Sequence, residues 1–120
     1  MQAVVEQMPV AGQLRLTIDV TVPVHYSAAV ARRIVGRFVA DEISYLLRAG
    51  EPALVASDRM RWRVPVVLAL PSTGQVGEVG YLEVDVETGQ LSATPEQVSA
   101  IDQHAQDLAA HHSTALGSAS

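Results

Sequence analysis

Glu42 has the strongest claim to chemistry in this chain. On a helical wheel drawn through Ala28–Ala49 it falls at the middle of the apolar face, between Phe38 and Leu46. A carboxylate so placed must find a partner, or desolvation raises its pKa. That chemistry suits a general acid or base, or a ligand contact. A rim position, or a hydrogen bond to Trp62, Tyr45 or Tyr81, would account for it without any reaction. No second catalytic group accompanies it. The histidines do not converge either: His25 belongs to an extended segment, and His104, His111 and His112 to the end of the chain. His104 and His111 share a helical face, yet no zinc spacing such as His-Glu-x-x-His is completed, so no metal is expected. Ser72, Thr73 and Gly74, with Gly77 and Gly80, resemble a phosphate loop only in glycine content. The lysine that such a loop needs is missing, as is every other lysine. A flexible hairpin connection is expected there, the glycines at 77 and 80 marking a bulge or a close backbone approach. No cofactor is expected.

Charge narrows the partners. The 120 residues carry a net charge of −5, against the surplus of cations that general nucleic-acid binding requires. The eight basic residues are all arginines and all lie before residue 64, together with six acids; seven acids and no base follow. Arg32, Arg33 and Arg37, with Arg48, give one helix a basic outer face. That face is a candidate partner-binding surface, or simply a solvated one. The chain has no cysteine, which excludes a disulfide framework, a thiolate metal site and a thiol nucleophile. Met1–Gly12 lacks a basic n-region and carries Glu6, which makes a poor signal peptide. No apolar run approaches the roughly 20 residues of a membrane span. A cytoplasmic protein with neither nucleic-acid nor membrane partners is the expectation.

The elements that must position these residues are well patterned. Leu14, Leu16, Ile18, Val20, Val22 and Val24 alternate with polar residues and Pro23, predicting a long strand over 13–26 with one buried face. Ser27 stands as an N-cap, and the pattern turns helical until Gly50 and Pro52. Ala53–Ser57 forms a short strand. Met60, Trp62, Val64, Val66, Leu68 and Leu70 then alternate with Arg61, Arg63 and Pro65. After a turn at Gly74, Leu82, Val84 and Val86 alternate with Glu83, Asp85 and Glu87. Folded as a hairpin, Arg59, Arg61 and Arg63 come opposite the three acids, and both apolar rows share the other face. Trp62 should be a buried anchor. Thr94-Pro95-Glu96-Gln97 is a capping box that opens a last helix with Val98, Ile101, Ala105, Leu108 and Ala109 inward.

Val84-Asp85-Val86-Glu87-Thr88-Gly89-Gln90-Leu91 is similar to the closing Val-Asp-x-x-Thr-Gly-x-Leu strand and turn of PepSY-like domains. The resemblance extends over residues 28–92, about half the chain. It implies a non-catalytic module that binds or restrains a partner. The long first strand and the capped last helix fall outside that family's pattern, and no functional residue carries over.

The sequence thus predicts an α+β fold, an antiparallel sheet with two helices on one face in the order β-α-β-β-β-α. Residues 1–12 form an N-terminal arm, 13–111 a single domain and 112–120 a flexible tail. The leading functional expectation is a non-enzymatic intracellular binding module that forms a homodimer. A regulatory or antitoxin-like partner of another small protein is the second, and a small ligand binder or enzyme centred on Glu42 the third.

Overall fold

The computed structural model describes the backbone of residues 2–10, 13–21 and 23–118, and the side chains of residues 21 and 23–112. Local chemistry starts the first helix, α1 (Ala28–Glu42). The Ser27 hydroxyl accepts from the Val30 amide at 3.2 Å, while the Ser27 carbonyl accepts from Ala31. Ala31, Val35 and Val39 recur every fourth residue and are fully buried. The helix then stops earlier than its spacing predicts. The amides of Ile43 and Ser44 both donate to the Val39 carbonyl, and the Ser44 hydroxyl accepts from Leu46. Leu47 and Ala49, buried on either side of exposed Arg48, form strand β3 (Leu47–Ala49) instead of a last helical turn.

Every other strand of the main sheet is arranged about the long hairpin, β5 (Met60–Leu70) and β6 (Gly74–Asp85), turned through residues 71–73. Before it, β3 lies on the Val66–Leu68 part of β5 and β4 (Ala53–Ala56) on the Met60–Arg63 part. The two short strands thus line one edge of β5 in succession, with Gly50 donating to the Pro65 carbonyl at 2.7 Å between them. On the far side, β7 (Leu91–Ser92) pairs with Val84 and Glu83. All pairings are antiparallel, and the fold is α+β as the sequence predicts. The core is one cluster that takes Val64, Val66 and Leu68 from β5, Val79, Leu82 and Val84 from β6, and residues of both helices.

The glycine-rich stretch is strand rather than loop. Pairing of β5 with β6 shifts register after Val66 and after Leu68, leaving Val79 and Val76 as extra residues. The shift turns Val79 inward beside Gly80 and puts Glu78 outside. The second helix, α2 (Pro95–Ser118), lies against this bulged segment. A Cβ on Gly80, whose φ is +153°, would come 2.8 Å from Ile101 Cγ1, and one on Gly77 would come 3.1 Å from Leu108 Cδ2. Both glycines therefore let helix and sheet approach closely, and His104 Nδ1 meets the Val79 carbonyl at 3.2 Å. The capping box closes in both directions: Thr94 accepts from the Gln97 amide at 3.2 Å, and the Gln97 side chain accepts from the Thr94 amide at 2.9 Å.

The expected long first strand is placed differently. Gln13–Thr21 (β2) pairs with Gln2–Val10 (β1), the segment expected to be an arm, as a separate two-stranded antiparallel ribbon. Val22 lies outside the described residues, and Val24 is exposed. The radius of gyration is 18.6 Å, against about 14 Å for a compact chain of this length, so the molecule is extended. α2 continues to Ser118, past the expected start of a tail at residue 112.

The contrast between the two glycines gives a stability prediction. Gly80→Ala adds backbone strain and a clash with the branched stem of Ile101, and should cost about 1–3 kcal/mol. Gly77→Ala meets only the mobile end of Leu108 and should cost less. Urea unfolding of the two variants checks the order.

Candidate interaction surface

The outer face of the main sheet carries a set of arginine–carboxylate pairs. Register puts Arg61 opposite Asp85 and Arg63 opposite Glu83. Arg63 and Glu83 do pair, at 3.2 Å, and the Arg63 guanidinium also lies 4.3 Å from the Tyr81 ring centroid. Arg59 bonds Asp85 at 2.8 Å and approaches Glu87 at 3.8 Å. Arg61 departs from the expected ladder. It turns to Asp58 at 3.1 Å and to the Ser57 hydroxyl, in the turn that precedes β5.

Asp85 is 7% exposed and fully engaged. One carboxylate oxygen accepts from the amides of Glu87 and Thr88, at 2.8 and 3.1 Å, and the other faces Arg59. Burial alone would raise its pKa; the two amide donors and the arginines outweigh that, and the group is held below the ordinary carboxylate value. The Asp-x-x-Thr-Gly turn is thus a structural knot, with Gly89 at φ +73°. A Cβ at Gly89 would overlap the Tyr26 ring. Tyr26 belongs to the segment between β2 and α1, which is fastened here: the amides of His25 and Tyr26 both donate to the Val86 carbonyl, at 2.9 and 3.1 Å. The Trp62 indole donates to the Tyr26 carbonyl at 2.7 Å. Trp62 is only partly buried, because it lies under this strap at the end of the sheet and not inside the core.

Glu42 does not occupy the apolar centre of a helix. It is the exposed last residue of α1, because the chain turns at Ile43, and Tyr45 and Leu46 never join its helical face. The basic face of α1 is partly tied down. Arg32 donates to the Ala49 carbonyl at 3.1 Å and approaches Glu51 at 3.6 Å, and Arg37 lies 3.9 Å from Asp41. Arg33 is exposed. His112 meets the Thr73 hydroxyl at 3.5 Å. Among the described residues no group of three or more acids and histidines could hold a metal. No described helix is long and apolar enough to cross a membrane.

Two depressions lie among the described residues. One of about 540 Å³ is lined by α2 alone, from Pro95 to Gln103. A second, of about 190 Å³, lies between Val79–Tyr81 and the Gln97–His104 face of α2. It is smaller than the roughly 300–1,000 Å³ of ordinary ligand sites. Apart from the main sheet, β1 and β2 form a two-stranded sheet of their own. Sequence patterning marked β2 as a strand but not its pairing, and the only advance signal for β1 was its run of apolar residues. The strap at Tyr26 had no local signal at all.

No family model, curated protein or solved structure matches the chain. The likeness of residues 84–91 to the PepSY-like closing turn therefore rests on those residues alone.

Asp85 predicts an acid dependence. A carboxylate whose pKa is depressed by folding contributes stability above its unfolded pKa, near 3.9, and that contribution disappears as pH falls through the folded value. Unfolding free energy should therefore decline as pH is lowered from about 5 towards 2. Asp85→Asn should flatten that decline. Urea titrations at several pH values measure both slopes.

Proposed function

We propose that the protein is a non-enzymatic interaction module whose contact surface is the β1–β2 ribbon. The observation that carries this reading is the pairing itself. Nine residues of β2 are in continuous register with β1, and neither strand joins the main sheet. A lone two-stranded ribbon is marginal in water, and three or more strands with an apolar face, or a covering helix, are needed for independent stability. A strand edge offered in this way recognises partners by main-chain pairing, with alternate residues supplying specificity. The main domain serves as the anchor: its own core is closed by α1 and α2, and the strap at Tyr26 ties the ribbon to it. A module that binds or restrains a protein partner is also what the PepSY-like turn implies. A cytoplasmic setting is part of this reading and accords with a chain free of cysteine.

Ile18→Lys separates this reading from a purely structural ribbon. The unfolding free energy of the main domain should change by less than about 0.5 kcal/mol. Leu82→Ala, in the core, should cost about 2–5 kcal/mol. In hydrogen exchange, amides 14–20 should lose protection in Ile18→Lys while amides 64–68 keep theirs. A loss of several kcal/mol in the main domain would show that the ribbon is a folding element, and the reading would fall.

A further inference from the structure

We infer that the ribbon's partner is a second copy of this chain, joined β2 to β2 in antiparallel register about a two-fold axis at Thr17. The inference rests on the interaction-module reading and adds the identity and register of the partner.

The pattern of β2 is self-complementary. Reading antiparallel about Thr17, Arg15 of one copy comes opposite Asp19 of the other, and Asp19 opposite Arg15. Leu14 meets Val20, Leu16 meets Ile18, and Gln13 meets Thr21. Each charge thus gains an opposite charge, and each apolar position an apolar one, twice over by symmetry. Shifting the register by one residue would set apolar against polar positions along the whole strand.

Within one copy the backbone register sets these two positions opposite uncharged residues. Arg15 stands opposite Met8 and Asp19 opposite Val4, while Glu6 stands opposite Thr17, diagonal to both. The other edge of the ribbon is less suited to this role. β1 contains Pro9, which has no amide to donate, and two copies paired about Glu6 would bring like charges together. Joining β2 to β2 makes a four-stranded sheet in the order β1-β2-β2-β1. Its strand number passes the limit below which a ribbon is marginal.

Sedimentation velocity of the full chain from about 1 to 100 µM tests the proposal. The wild type should be a dimer. Arg15→Asp and Asp19→Arg, each alone, should weaken dimerisation by about tenfold or more, since either change makes both pairs repulsive. An equimolar mixture of the two variants should recover a dimer, because one copy then presents two acids and the other two arginines. Circular dichroism shows whether each variant retains its fold. A second probe leaves the charges intact: the chain has no cysteine, so Thr17→Cys should give a covalent dimer on mild oxidation. Gln13→Cys, which faces Thr21, should not. A wild type that is monomeric at 100 µM would overturn the proposal, as would a dimer indifferent to both charge reversals or a failure of Thr17→Cys to cross-link. The Ile18→Lys experiment stands apart from all three results, so a monomer with an energetically separate ribbon would leave the interaction reading in place with a different protein as partner.

Discussion

The α2 side of the molecule depends on one missing side chain. At Gly80 the helix and the sheet approach closely, with Ile101 occupying the space a Cβ would need. The extra residue next to it, Val79, changes which residues of β6 face inward, and its carbonyl is met by His104. Without that approach Ile101 and Ala105 could not share a core with Ala31, Val35 and Val39 of α1. A bulge is a defect in a ladder of hydrogen bonds, yet here it is what lets a second helix dock. The same distortion leaves the upper part of β6 irregular, a poor template for another strand.

How much of this was legible in the sequence depended on whether a feature was fixed locally. The β5–β6 hairpin was legible because charge and apolarity specify the same register, and the Ser27 and Thr94 caps because capping needs only neighbouring residues. The end of α1 was not. Leu46 continues the helical spacing while Leu47 and Ala49 begin an alternating one, and pairing with Leu68 and Val66 decides between them. Glu42 was misplaced as a direct result. Arg61 left the expected ladder because Asp58 and Ser57 offered closer partners in the preceding turn. β1 was missed because Ala3, Val4, Val5, Met8 and Val10 follow no single period, so its strand character shows only in its pairing with β2.

The two sheets are built differently. The main sheet is sealed by local means: two capped helices, a turn knotted by Asp85, and an edge made of short strands interrupted near Pro52. The ribbon has a regular ladder of nine pairs and no helix packed across it among the described residues. The described core lies in the first of these parts, and the second is a sheet of two strands alone.

The strap at Tyr26 gives the protein an optical property. Trp62 is the chain's only tryptophan, and its indole N–H is held by the carbonyl of the segment that leads out of the ribbon. Indole emission responds to hydrogen bonding and to solvent at that nitrogen, so the joint between ribbon and domain carries its own fluorophore. Any event that pulls Tyr26 from the Val86 carbonyl and from Gly89 is written into the colour and lifetime of that single chromophore, with no label added.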